Sequence, residues 1–158
     1  WYRGEVTLTE QELRGWDLFN VDRTDFSAGA DCFHCHTAPH FTDFTFHNNG
    51  LDSDENFSDL GLYETTGSDV DKAKFNTPTL RNIEVTGPYM HDGRFSTLEE
   101  VIEHYNSGGH ASSTVDPLMK NIGDGLLLSP EDKQALLAFL RTLTDEEFLN
   151  NPEFSNPF

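Results

Sequence analysis

The sequence predicts an all-α domain with long irregular loops, on two observations: helix-start signals precede three amphipathic runs, and the long stretch from Phe41 to Lys74 holds no sustained period. Thr9-Glu10-Gln11-Glu12 is a capping box, in which hydroxyl and carboxylate each satisfy a backbone N–H that the first turn leaves unpaired. Leu13, Trp16 and Phe19 follow at helical spacing, so the first helix runs to about Asn20. Between Phe41 and Lys74, Asn, Asp, Ser and Gly dominate among scattered Phe; this reads as an irregular segment over the core, with Asp52 to Asp59 a solvated acidic loop. Pro78, Gly87, Pro88 and Gly93 keep the next stretch non-helical. The second helix begins at Ser96 or Thr97, with Glu99 and Glu100 at its positive end and Leu98, Val101 or Ile102, and Tyr105 on one face. The last has Ser129 as N-cap, Pro130 at the first helical position, and an apolar stripe of Leu136, Leu137, Phe139, Leu140 and Leu143.

The chemistry sits in the loop after the first helix. Cys32-Phe33-His34-Cys35-His36 is a C-x-x-C-H run, the spacing of covalent haem c attachment. Two thiols on one turn can each add to a vinyl group of one porphyrin, and His36 then points at the iron as proximal ligand. A C-x-x-C redox pair or half a zinc site is the competing reading; no strand precedes the motif and no second cysteine pair exists. The motif therefore predicts a single cytochrome c-type haem domain over residues 1–158, with one haem.

The formal charge of -18 excludes a nucleic-acid binder or an anionic-membrane surface protein, and suggests a basic protein or small cationic donor as partner, although plain solubility accounts for it equally. No apolar run reaches membrane-spanning length. Haem c is attached after export and no signal peptide is present, so the chain reads as mature, processed or truncated, periplasmic, with Trp1 not the biological start.

Further strings carry a resemblance. Phe75-Asn76-Thr77-Pro78-Thr79-Leu80-Arg81-Asn82, Thr86-Gly87-Pro88-Tyr89-Met90-His91-Asp92-Gly93, Thr97-Leu98-Glu99-Glu100, the opening Leu8 to Gly15, His47-Asn48-Asn49-Gly50 and the closing Phe148 to Phe158 resemble the C-terminal haem domain of the bacterial dihaem cytochrome c peroxidase and MauG superfamily. The resemblance implies a second haem domain, upstream of Trp1 or on another chain, where peroxide is cleaved, while the six-coordinate haem of this half stores or relays electrons. It implies a distal ligand fourteen residues after the histidine of the H-D-G string. That residue is Tyr105, as in the MauG branch, where the peroxidase branch has methionine. Tyr105 as a core aromatic is the alternative; Met119 is the leading substitute ligand, with Met90 behind it. His91 matches the family histidine facing the second haem, or is a structural histidine partnered by Asp92. Thr86 and Pro88 match positions whose backbone carbonyls help hold a calcium shared with the other domain. Arg81, a single arginine in a short loop near haem, suits a propionate; a surface ion pair is the alternative. His34, His40, His47, His104 and His110 read as surface or packing residues.

The expected function is the electron-transfer haem c domain of a MauG-like, hydrogen-peroxide-reducing peroxidase, supplied by a small redox protein or an oxidisable protein side chain, with homodimerisation left open. The alternative is a stand-alone monohaem electron carrier without peroxidase activity.

Overall fold

The computed structural model describes residues 7–24 and 27–155, so Trp1 and the last residues of the closing string, Asn156 to Phe158, lie outside the described part. Five α-helices and one two-stranded sheet are described: α1 (Glu10–Asn20), β1 (Phe46–His47), α2 (Tyr63–Thr66), β2 (Phe75–Asn76), α3 (Leu98–Ser107), α4 (Pro130–Arg141) and α5 (Glu146–Asn150), joined by single 3-10 turns and long loops. The Phe41–Lys74 stretch is irregular as expected, apart from α2, short turns, and β1, which pairs antiparallel with β2.

Each long helix begins where its cap signal lies. Thr9 and Glu12 close one capping box, Thr97 and Glu100 another, and the Ser129 hydroxyl accepts from the Asp132 N–H. Gly108, at φ 91, ends α3, and Thr142 ends α4, so Leu143 joins the core from just beyond its helix.

The core is the crossing of α1 and α4. Gly15 makes it close: a Cβ there would lie 2.0 Å from the Ala135 carbonyl oxygen. Around it Trp16, Phe19, Phe41 and Phe139 pack ring against ring, with Phe19–Phe139 centroids 5.2 Å apart at 60°. Leu18, Phe19, Leu137 and Phe139 are almost wholly buried. Beside this core stands a half-buried apolar wall that includes Phe33, Leu80, Phe95, Val101 and Tyr105.

Two segments strap the loops down. In the Thr77–Asn82 string, Thr77 C=O accepts from the Thr42 hydroxyl (2.7 Å), Thr79 Oγ1 donates to His40 C=O (2.6 Å), Leu80 N–H to Phe41 C=O (3.3 Å), and Asn82 N–H to Leu143 C=O (2.9 Å). In the acidic loop, Asp52 pairs with Arg94 and the Asp54 carboxylate accepts from the Ser113 N–H and hydroxyl. That loop is thus a tethered element as well as a solvated one.

Candidate functional site

The cysteine motif starts as one 3-10 turn, Cys32–His34, seated on the end of α1. Ala30 N–H donates to Leu18 C=O (2.8 Å) and Asp31 N–H to Val21 C=O (3.1 Å). Asp31, at φ 54, turns its carboxylate onto His34 Nδ1 and onto Lys120 (2.8 Å), which also holds Asp22 (2.7 Å).

His36 is set by two hydrogen bonds. Its N–H donates to Cys32 C=O (2.9 Å), and its Nδ1 lies 3.0 Å from the Phe41 carbonyl oxygen. A carbonyl only accepts, so Nδ1 carries the proton and Nε2 keeps its lone pair. Burial pulls the His36 pKa down against the Phe41 carbonyl and Asp43, leaving a neutral imidazole, the form that binds a metal.

Burial pushes both thiols up to about 12, helped by the charge of Asp31 at Cys32 and of Asp43 and Asp116 at Cys35. Neutral thiols of this kind lack the lowered pKa of a redox-active C-x-x-C pair. Cys35 Sγ, an Asp43 oxygen and a His47 nitrogen fall within 4.8 Å of one another. Both His47 nitrogens are already engaged, Nε2 with Asp43 (2.7 Å) and Nδ1 with Asp116 (2.6 Å). Against the opposing effect of burial, Asp116 and Asp43 raise the His47 pKa, so this histidine is clamped between two acids and is no loose surface residue.

Tyr105, half-buried on α3, brings its hydroxyl into the electrostatic range of both thiols. Burial pushes its pKa up to about 12, the two cysteines add to this, and the Asn49 carboxamide opposes it by donating to the hydroxyl oxygen (3.1 Å). The same Asn49 nitrogen lies 3.5 Å from Met90 Sδ. Met119, half-buried, sits on the turn that Asp116 opens, its N–H on Asp116 C=O (2.9 Å).

The remaining residues lie around this centre. Arg81 Nη2 donates to Pro39 C=O (2.8 Å) in the segment just after the motif, so it straps that segment instead of forming a surface ion pair. His91 is exposed and stacks on Phe75 (3.6 Å, 6°), while the neighbouring Asp92 carboxylate accepts from Arg94 Nε (2.8 Å). Thr86 and Pro88 are exposed on the loop leading to α3, with the Thr86 hydroxyl on Ile83 C=O (3.3 Å). Cys32, Cys35, His36 and Tyr105 therefore come together, Arg81 borders them, and His91, Thr86 and Pro88 form a separate exposed group.

Sequence reasoning gave no role to Asn48 or Asn49. Asn48 is 2% exposed, its amide donating to Ser112 (3.1 Å) and Thr114 (3.0 Å), and Asn49 bridges Tyr105 and Met90. Two asparagines before Gly50 suggest only a turn; the groups to which their side-chain amides donate lie more than forty positions away in the chain.

A helical domain in which a C-x-x-C turn, a neutral histidine and a half-buried tyrosine converge beside an apolar wall is a small cytochrome c-type domain. No family model matches the chain. It is 30% identical over 165 residues to the cytochrome-c peroxidase IdrP2 of Denitromonas iodatirespirans, over 88% of this chain and 41% of that protein. To the methylamine utilization protein MauG of Methylorubrum extorquens it is 37% identical over 123 residues, 77% of this chain and 33% of that protein. A MauG-like protein associated with microbial copper homeostasis matches with a TM-score of 0.86 and 38% identity, over 99% of this chain and 50% of that one. The chain spans about two fifths of the length of the curated relatives it matches. It belongs to the cytochrome c peroxidase and MauG superfamily and fits the C-terminal haem domain of that group.

Proposed function

We infer that this chain is the electron-transfer haem domain of a MauG-like peroxidase acting on hydrogen peroxide. Cys32 and Cys35 attach one haem c, His36 Nε2 is the proximal ligand and Tyr105 the distal one. The observation that carries this reading is the His36 ring, turned by the Phe41 carbonyl on the same turn as Cys32 and Cys35, with the Tyr105 hydroxyl close enough to feel both thiols. The donor set fits the group: two cysteines and a histidine on consecutive turns, an imidazole whose Nδ1 is directed to the Phe41 carbonyl, and half-buried apolar side chains suited to cover a flat macrocycle. Bound there, haem c supplies a one-electron couple.

The chain's own residues do the rest. Phe41 holds the His36 proton on Nδ1, the Arg81 strap fixes the segment after the motif and leaves further N–H groups for a propionate, and Tyr105 contributes a hard oxygen donor that favours the ferric state. The Thr86 and Pro88 carbonyls offer part of a calcium site shared with a second haem domain, and exposed His91 faces that domain. The electron donor is a small redox protein and the compartment the periplasm; among the described residues no helix is long and apolar enough to cross a membrane.

Were His36 and Tyr105 both to hold the haem, no donor position would be left for peroxide, and this same feature favours a second reading, a stand-alone monohaem carrier. Stopped-flow absorption of the reduced, haem-loaded chain against hydrogen peroxide tests the proposal. Slow, nearly peroxide-insensitive oxidation of this chain, turning rapid when the complete dihaem protein is used, is the expected result. Fast oxidation of the isolated chain would sink the six-coordinate relay, and equal slowness of the complete protein would leave the carrier.

A further inference from the structure

Asn49 stands where two of the three candidate distal donors, Tyr105 and Met90, meet. Its segment is pinned residue by residue: His47 between Asp43 and Asp116, Asn48 on Ser112, Thr114 and the Gly50 N–H (2.9 Å), and the Asn49 carbonyl under Nε2 of buried His104 (3.2 Å). With its backbone held, the Asn49 carboxamide reaches both side chains from a fixed base. Its NH2 group has two protons to give, and its nitrogen lies 3.1 Å from the Tyr105 hydroxyl and 3.5 Å from Met90 Sδ.

Met90 is held from its own side too. It sits at φ 68, a left-handed backbone in which a side chain is disfavoured and which persists only where the surroundings enforce it. Those surroundings are the Tyr89 N–H on Phe95 C=O (2.8 Å) and the Arg94 pairs to Asp52 and Asp92. A phenol and a thioether are thus carried on two anchored elements and joined through one amide.

Resting on the assignment of Tyr105 as distal ligand, we propose that Asn49 is a positioning residue that decides which side chain the iron receives: it holds the Tyr105 oxygen in place and ties Met90 back. The N–H on the tyrosine oxygen stabilises the anionic donor, while the N–H on sulfur occupies a lone pair that would otherwise be offered to iron. Without the amide, the Tyr105 oxygen would lose its donor and the Met90 sulfur its tether, so that a haem held here would take the thioether while Tyr105, with one proton from solvent, stayed a neutral phenol. The site then loses one negative charge and gains a soft donor, which favours the ferrous state.

The test uses the haem-loaded chain with Asn49→Leu, which keeps the volume and removes the donor, and Asn49→Ala, which adds no bulk should the leucine variant fail to fold. Haem content is checked in each. The expected result is a new near-infrared sulfur-to-iron charge-transfer band, loss of the phenolate-to-iron band, and an upward shift of the reduction potential. Adding Met90→Leu should abolish the sulfur band. Tyr105→Phe separates the two claims. If its ferric spectrum matches that of the unaltered protein, the tyrosine assignment falls and the proposal with it. If Tyr105→Phe changes the spectrum while both Asn49 variants keep the original bands and potential, only the role of Asn49 falls.

Discussion

Arg94 shows how much of the site depends on single side chains that coordinate nothing. Its guanidinium donates from Nη1 and Nη2 to Asp52 (2.9 and 2.7 Å), from Nε to Asp92 (2.8 Å) and from Nη1 to the Leu51 carbonyl (3.3 Å). It thereby fastens the loop carrying Met90 and His91 to the segment that follows Asn49. Hydrogen bonds from Arg94 hold both carboxylates below their ordinary value of 3.8, and the carboxylates raise the arginine. A depressed carboxylate contributes stability that is complete above its unfolded pKa and disappears as pH falls through its folded one. Arg94→Met should therefore cost about 2 kcal/mol at neutral pH, the size of a partly buried charge-assisted network. The gap should narrow once the pH drops below about 4, where the unfolded carboxylates protonate. Urea denaturation at pH 7 and pH 3 measures this, and a cost that did not change with pH would remove the electrostatic explanation.

At the scale of elements, the helix contact that carries the core is also the most sensitive. Adding a methyl at Gly15 drives a Cβ to 2.0 Å from the Ala135 carbonyl and 2.7 Å from Phe139 Cβ, and backbone cannot rotate away as a side chain can. Gly15→Ala should lose about 3 kcal/mol despite its better helix propensity, because overpacking outweighs the gain. A thermal melt that rose instead would mean that α1 and α4 sit farther apart than described. The three long helices were legible in sequence because their start signals are local: Thr9 with Glu12, Thr97 with Glu100, and Ser129 with Pro130 act within three residues. The straps were not legible, since Thr79 reaches His40, Arg81 reaches Pro39 and Asp54 reaches Ser113 across distances in the chain that no periodicity encodes. The site divides the same way. Cys32, Cys35 and His36 announce themselves by spacing and Tyr105 emerged only through family resemblance, whereas Asn49 has its partners 41 and 56 positions onward.

For the whole molecule, charge is the dominant feature. Against 28 acidic residues stand 10 basic ones, and of these Arg14, Lys72, Lys74, Arg94, Lys120, Lys133 and Arg141 are each paired with a carboxylate. Most of the positive charge is thus neutralised locally, and the excess acids set a negative field that extends outward over roughly a Debye length, about 8 Å at physiological salt. Such a field attracts a cationic redox partner and raises its encounter rate without changing the chemistry at the haem. The second-order rate of electron exchange between the haem-loaded chain and a small basic redox protein should fall by about tenfold or more as ionic strength rises from about 10 mM to about 300 mM. Exchange with an uncharged small-molecule reductant should hardly change over the same range. Parallel slopes for the two donors would show that salt acts on the haem site itself, and a flat response to the basic protein would mean that the acidic surface serves solubility and the partner is recognised by other contacts.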